Sequence, residues 1–133
     1  MIFVDTSFWV ALRNQRDAHH DQATQLLSEW ADSQLTTTNH VRGETWTYLR
    51  RRAGHKAAVD FLNVLERSPR VGILRVSEEV EVRALEWLRK HDEREYSFVD
   101  ATSFVAMRTL RVHQVLSFDG DFSAAGFTEL RPE

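Results

Sequence analysis

Residues 1–12, MIFVDTSFWVAL, decide the fold class of this protein. Residues 2–4 form a short β-branched and aromatic run, which is typical of a buried strand. The apolar run that follows predicts a helix, with Thr6 and Ser7 as its candidate N-caps. Asp5 stands between the two and is the only charged side chain of the stretch.

Asp5 is therefore placed at the carboxyl end of a buried strand, facing a helix N-terminus. In α/β proteins this is the usual position of a bound ligand. An unpaired carboxylate in so apolar a setting would cost on the order of several kcal/mol, or its pKa would shift. Asp is also among the best N-cap residues. Asp5 either caps the helix or binds a positive group, and the stretch alone does not decide between the two.

The composition indicates a soluble protein with one domain over residues 1–133. Hydrophobic residues make up 42% and charged residues 28%, and no apolar run approaches the ~20 residues that span a bilayer. No secretory signal is recognisable at the start. The absence of cysteine excludes disulfides and thiolate catalysis, and it fits a reducing cytoplasm. The net charge of −3 means that nucleic-acid binding would depend on local arginine clusters.

Strands alternate with helices along the rest of the chain, as in a parallel α/β sheet. The predicted strands after the first cover residues 34–38, 71–76, 114–118 and 126–130. The predicted helices cover residues 18–31, 39 to about 52, a segment from Gly54, a segment capped by Ser77, and 96–107. Asp17 is the candidate cap of the second helix and Asn39 of the third. His19 and His20 are adjacent, cannot form an i, i+4 metal pair, and are predicted to be solvated.

Two acidic residues occur on predicted helices at positions that favour burial. Glu44 projects from the apolar side of its helix, but taken alone it is better explained as an ordinary helix glutamate that reaches out to water. Asp100 is the only charge in YSFVDATSFVAM, residues 96–107, which is apolar on nearly every side and predicts a central buried helix. Ser97 is the better-placed cap, so Asp100 is left to project, and a buried carboxylate normally has a partner.

A fourth acid, Asp119, follows the predicted strand 114–118 in an Asp-Gly-Asp turn. Alone it is explained as a turn residue, and Asp121 ranks second to it. In a parallel sheet with right-handed crossovers, however, strand carboxyl ends and helix N-termini lie along one edge. Asp5, Glu44, Asp100 and Asp119 are therefore predicted to converge on one cleft. Without a cation they would repel each other, and all-oxygen ligands suit Mg²⁺ or Mn²⁺.

Four segments together resemble the PIN-domain ribonucleases of the VapC toxin type. These are VDTS at the start, TTTNHVRGETWTYLRRRAGHKAA around Glu44, YSFVDATSFVAM around Asp100 and LSFDGDF around Asp119. The resemblance spans essentially the whole chain. It implies an α/β fold with a four- to five-stranded parallel sheet flanked by helices, and a Mg²⁺- or Mn²⁺-dependent endoribonuclease. It also implies a homodimer and a VapB-like antitoxin that threads a segment across the active site.

The same resemblance assigns roles to the four acids. Asp5 and Asp100 would be the most direct metal ligands, with Asp119 and Glu44 more often acting through water. Ser117 occupies the family's small hydroxyl position before the fourth acid. In the mechanism this implies, a carboxylate such as Glu44 or Asp119 orients or deprotonates the attacking water. The products would be a 5′-phosphate and a 3′-hydroxyl.

Two alternatives remain open at this point. One is a catalytically silent PIN-like interaction module whose acids only cap helices, and the other is a different metal-dependent phosphoesterase. The haloacid-dehalogenase type would need a second acid at position 7, which is Ser7. The substrate would be a structured RNA such as transfer or ribosomal RNA. Peripheral arginines are candidates for drawing it in, namely Arg13, Arg16, Arg50, Arg51 and Arg108.

Overall fold

A five-stranded parallel sheet forms the centre of the molecule, in the strand order β3-β2-β1-β4-β5. The computed structural model describes residues 1–133. The strands are β1 (Ile2–Val4), β2 (Leu35–Thr38), β3 (Val71–Leu74), β4 (Gln114–Leu116) and β5 (Thr128–Glu129). The helices are α1 (Thr6–Arg13), α2 (His20–Glu29), α3 (Asn39–Arg52), α4 (His55–Arg67), α5 (Glu78–Lys90), α6 (Phe98–Leu110) and α7 (Asp121–Ala124). The predicted α/β class and parallel sheet are confirmed.

Strand β1 lies in the middle of the sheet and explains the apolar start of the sequence. Phe3 pairs with Thr36 of β2 on one side and with Val115 of β4 on the other. All three residues of β1 are buried, which is why they are continuously apolar and do not alternate with polar residues. The carboxyl ends of β1 and β4 are therefore adjacent, and the segments that follow them share one edge of the sheet.

Helix α6 packs across the core through Phe104, which confirms that it is a buried helix. The Phe104 ring contacts four other aromatic rings at centroid distances of 4.9 to 5.7 Å, those of Trp87, Tyr96, Phe122 and Phe127. Residues 100–107 of this helix are all buried. The start of the helix, including Asp100, is thereby held at the same sheet edge as the end of β1.

Several element boundaries differ from the predicted ones, chiefly at helix caps. Asp5 caps α1, which is one of the two roles considered for it, and Thr6 and Ser7 do not; its carboxylate accepts the Ser7 N–H at 3.3 Å. Thr38 caps α3 in place of Asn39, because its hydroxyl accepts the Val41 N–H at 3.0 Å. The Asn39 side chain instead accepts the Val76 N–H, which ties α3 to the segment after β3.

The other differences are shifts of a few residues. Helix α2 begins at His20, after a turn in which Asp17 accepts the His19 N–H at 2.9 Å. The second, third and last strands are shorter than predicted, β4 ends at Leu116, and the short helix α7 was not predicted. No helix has both the length and the apolar character needed to cross a membrane.

We expect Phe104→Ala to lower the free energy of unfolding by about 3–5 kcal/mol, because it removes the ring at the centre of the aromatic cluster. Urea denaturation followed by tryptophan fluorescence measures the loss. Val82→Ala, at an exposed position of α5, is the control and should change stability by less than about 0.5 kcal/mol. Equal losses in the two variants would contradict the central position of Phe104.

Candidate metal centre

Three carboxylates meet at the carboxyl edge of the sheet. Asp5 follows β1, Asp100 lies in the first turn of α6, and Asp119 follows β4. One carboxylate oxygen from each lies within 4.8 Å of those of the other two. Asp5 and Asp100 are buried, whereas Asp119 is exposed at the mouth of the site. The structure thus brings together three of the four acids predicted from the sequence.

Asp5 is both a helix cap and a member of this cluster, because its two oxygens have different surroundings. Oδ2 accepts hydrogen bonds from the Ser7 N–H and from the Ser7 hydroxyl, the latter at 3.0 Å. Oδ1 is buried and has no hydrogen-bond partner in the protein. A buried carboxylate oxygen without a partner is costly, so Oδ1 is the atom of this site that most needs a cation.

Asp100 is also engaged in a cap, which the sequence interpretation did not anticipate. Its backbone N–H donates to the Ser97 hydroxyl at 2.9 Å, and its Oδ2 accepts the Ser97 N–H at 3.0 Å. This reciprocal pair is a capping box. It fixes the direction of the Asp100 carboxyl without using all of its acceptor capacity, so the residue can serve the cap and the cluster together.

The Ser117 hydroxyl connects two of the acids. It lies 3.1 Å from Asp5 Oδ2 and 3.2 Å from Asp119 Oδ1. A hydroxyl has one proton, so Ser117 can donate to one of these carboxylates at a time. The Ser7 hydroxyl lies 3.1 Å from Ser117 and completes a polar network under the cluster.

The turn that carries Asp119 is held by Glu129, a residue that the sequence interpretation missed. The nearly buried Glu129 carboxylate accepts the N–H groups of Gly120 and Ser123, and a hydrogen bond from Arg131 at 3.0 Å. Burial alone would raise the pKa of Glu129, but these hydrogen bonds hold it below its usual value. Arg131 in turn donates to the Ser117 carbonyl at 2.7 Å. The C-terminal segment thus fixes the turn, and no local signal in the sequence reveals it.

Crowding and burial make the cluster electrostatically unfavourable for three free carboxylates. Burial raises the pKa of Asp5 well above its ordinary value, and the charges of Asp119 and Asp100 raise it further. Burial raises the pKa of Asp100 to about 7, and the charge of Asp119 adds to the rise. Asp119 is exposed as a whole residue, but its carboxyl group is partly shielded from water, and this shielding also raises its pKa. A cation between them would reverse these shifts, because it stabilises the ionised forms.

Glu44 lies in the wall of the same cavity but outside the three-acid cluster. The cavity has a volume of about 390 Å³ and is lined by all four predicted acids. Glu44 is half-buried, and burial raises its pKa, an effect that the Thr6 hydroxyl beside it opposes. The structure therefore places Glu44 beside the cluster and not within it.

Asp121 is held apart from the cluster by an ion pair. Arg94 donates to Asp121 Oδ1 at 2.7 Å and to the Asp119 carbonyl at 3.3 Å. Because its carboxylate is already paired with Arg94, Asp121 is a weaker candidate for the site than Asp119, in line with the order given to them from the sequence. The ion pair also helps to shape the turn on which Asp119 stands.

The cavity contains residues that sequence reasoning missed. His19 is exposed, as predicted, but its ring also stacks on Phe118 at a centroid distance of 4.6 Å. His20 is half-buried and less solvated than predicted, and its Nδ1 lies 2.8 Å from the Ala11 carbonyl oxygen.

Tyr48 and Arg52 also line the cavity, and the Arg52 guanidinium lies 4.7 Å from the centre of the Tyr48 ring. None of the five arginines proposed as RNA contacts lines this cavity. The i, i+4 spacing of Tyr48 and Arg52 on α3 was the available signal, because it places their side chains next to each other on one face of the helix.

The donor set fits a hard divalent cation. It consists of carboxylate oxygens only, from residues on three different elements, and Asp5 also carries a buried oxygen, Oδ1, that has no partner in the protein. Such oxygen sets are the usual ligands of Mg²⁺ and Mn²⁺ in proteins. Metal ions held in this way can support hydrolysis of phosphate esters.

Comparison with known proteins agrees with this geometry. The model of the PIN domain family matches residues 2–128. The chain is 55% identical over its full length, and over the full length of the relative, to the "23S rRNA-specific endonuclease VapC20" in two strains of Mycobacterium tuberculosis. A crystal structure of the Mycobacterium tuberculosis VapC20, described as a toxin that cleaves the sarcin-ricin loop, superimposes with a TM-score of 0.94. That match has 52% identity and covers 99% of this chain and 100% of the other.

In the metal-free protein we expect stability to fall as pH rises from about 4 to 7. Over that window folded Asp100, with a pKa of about 7, keeps a proton that it loses in the unfolded chain, where its pKa is near 3.8. Asp100→Asn should therefore flatten the fall and stabilise the metal-free protein at pH 8 by about 1–3 kcal/mol. Urea denaturation in EDTA across this range measures both effects.

The control for this experiment is Asp32→Asn, at an exposed position before β2. It should leave the pH dependence of the free energy of unfolding unchanged. If the free energy of unfolding of the wild type rises between pH 4 and 7, the raised pKa of Asp100 in the folded protein is contradicted.

Proposed function

This chain belongs to the PIN domain family, in its VapC branch of ribonucleases, and we propose that it is a metal-dependent endoribonuclease toxin that cuts 23S rRNA. The observation that carries the proposal is the convergence of the carboxylates of Asp5, Asp100 and Asp119, together with the buried Asp5 oxygen that has no partner in the protein. The relative that is 55% identical over the full length is a 23S rRNA-specific endonuclease, which supports the substrate. We further propose that residues 1–133 form one PIN domain.

The proposed binding partners of this chain follow from its membership of the VapC toxins. As a VapC-type toxin the chain would be inhibited by a VapB-like antitoxin and would act as a homodimer. Its substrate would be ribosomal RNA, which places its action in the cytoplasm. The four predicted acids would be the catalytic residues, with Mg²⁺ or Mn²⁺ as the cofactor; these are Asp5, Glu44, Asp100 and Asp119.

We assign the metal-holding role to the three clustered acids. Asp5 and Asp100 are buried and directed by their caps, so they would be the most direct ligands. Asp119 stands at the exposed mouth and would complete the set. When bound, the cation would lower the pKa of water and offset charge on the phosphate.

Glu44 is the proposed general base. It lies outside the cluster, so its carboxylate is free to accept a proton, and its raised pKa brings it closer to neutral pH, where a base is most effective. Glu44 would take the proton of a water molecule whose oxygen attacks the phosphorus. The bond from phosphorus to the 3′ oxygen then breaks, and that oxygen takes up a proton, which leaves a 5′-phosphate and a 3′-hydroxyl.

We expect Mn²⁺ to raise the melting temperature of the wild-type protein by about 5 °C or more at saturation, because the ion binds only the folded chain. The rise should be lost in Asp5→Asn and in Asp100→Asn. It should persist in Glu44→Gln, since Glu44 lies outside the cluster. Thermal unfolding with and without EDTA measures this, and an equal rise in the Asp100→Asn variant would exclude the proposed metal site.

We expect purified protein, free of antitoxin, to cut 23S rRNA at a discrete site with Mn²⁺, and to lose this activity with EDTA or with Asp100→Asn. Glu44→Gln should lower kcat by about 10²- to 10⁴-fold, the usual contribution of a general base. Sequencing of the RNA ends identifies the site and the end groups.

Asp32→Asn is the matched control for this assay and should cut like the wild type. Cutting that survives in Asp100→Asn would indicate a contaminating nuclease. Metal binding without any cutting of RNA would favour a catalytically silent module.

A further inference from the structure

Two stacked rings, those of His19 and Phe118, line the acidic cavity. Their centroids are 4.6 Å apart and the rings are within 8° of parallel. Phe118 also stacks against Phe8, which is fully buried in the core, with a centroid distance of 5.8 Å and an interplanar angle of 23°. We call these three rings the aromatic column. The His19 side chain is 46% exposed and lines the cavity. Because Phe118 covers one face of the imidazole, the other face is open.

The aromatic column is fixed relative to the metal centre. Phe118 immediately precedes Asp119, and its backbone N–H donates to the Ser7 hydroxyl at 3.0 Å. That hydroxyl contacts Asp5 Oδ2. On the other side, the His19 backbone is held by its hydrogen bond to Asp17. The backbone of Phe118, whose ring lies under His19, and the His19 backbone are thus both held by hydrogen bonds. The open face of His19 is therefore part of a preformed surface beside the acids.

Because the cavity is acidic, RNA binding there must use contacts that do not depend on positively charged side chains. The lining includes seven acidic residues, and Arg52 is its only arginine or lysine. Neutralisation of phosphates by protein cations is the usual source of affinity for nucleic acids, and it is nearly absent here. Stacking of a base on an aromatic ring does not depend on charge and contributes substantially to the binding of unpaired nucleotides.

We propose that the open face of His19 stacks on an unpaired nucleobase adjacent to the bond that is cut. The substrate must then be an RNA that presents a base turned out of its helix at the cleavage site, because a base inside a duplex already stacks on its neighbours. His19 thereby selects a looped RNA and places its backbone at the metal centre. This inference rests on the proposed nuclease function and extends it to the class of site that is recognised.

The test is a double-mutant cycle between the ring and the base. The substrate is an RNA hairpin that spans the mapped cleavage site of 23S rRNA, intact or with the base next to the cut bond replaced by an abasic nucleotide. The variants are His19→Leu, which still covers Phe118 but lacks a flat aromatic face, and His19→Phe, which keeps that face. His113→Ala is the control, since His113 is exposed and precedes β4 at the opposite edge of the sheet.

We expect His19→Leu to raise KM by about 5-fold or more, the weak end of measured base stacking, with little change in kcat. His19→Phe should restore the wild-type KM, because the aromatic face and not the ring nitrogens makes the contact. His113→Ala should behave as the wild type. The rise in melting temperature with Mn²⁺ should be the same in all variants, which shows that each is folded with an intact acidic cluster.

The abasic substrate should raise KM for the wild type and should add no further loss in His19→Leu, because the stacking partner has already been removed. Additive losses, or an abasic substrate cut as well as the intact one, would overturn the stacking proposal while the nuclease function stands. A KM for His19→Phe as high as that of His19→Leu would also overturn it. Absence of any cutting by the wild type would overturn both proposals.

Discussion

Mutual repulsion of three carboxylates at one edge of a buried sheet is the constraint on which the site depends. Asp5 cannot move away, because β1 is paired on both sides and Asp5 itself caps α1. Asp100 is held by the capping box of a helix that crosses the core. The protein therefore holds three acids where burial and like charges disfavour their ionised forms, and a divalent cation among them would relieve that cost.

The polar groups around the cluster direct the acids without neutralising them. Ser7 and Ser117 use one oxygen of Asp5, and the other oxygen is left without a protein partner. Glu129 and Arg131 fix the backbone of the turn that presents Asp119 and do not pair with its carboxylate. These contacts orient the acids but leave carboxylate oxygens free to bind a cation, as a metal site requires.

A cavity rich in acids also limits how RNA can be bound. Arg94 is used to hold Asp121, and Arg131 lies 5.4 Å from the Phe118 ring, where it supports the wall of the site. The means of contact left in the cavity would be Arg52, the proposed cation and the aromatic surface of His19. All three act over short distances, so they favour precise placement of one nucleotide over general attraction to RNA.

Particular residues show where prediction from sequence succeeded and where it stopped. The apolar start with its single Asp5, and the apolar helix with its single Asp100, mark buried elements through local composition alone. The helix caps were less well predicted, because Thr38 and Asn39 are both good caps and only the backbone direction decides which one reaches the Val41 N–H. Glu129 and His19 gave no local signal, since their partners lie far away in the sequence.

Hydrophobic pattern and residue type are local properties, and they suffice to predict several features of this protein. These are the parallel α/β class, the burial of the first strand and of the sixth helix, and the acids close to these elements. The separation between the cluster of Asp5, Asp100 and Asp119 and the neighbouring Glu44 is visible only in the folded chain. The stacking of His19 on Phe118 is likewise visible only there. The reason is physical: distances of a few ångströms depend on strand order and packing, which no local stretch encodes.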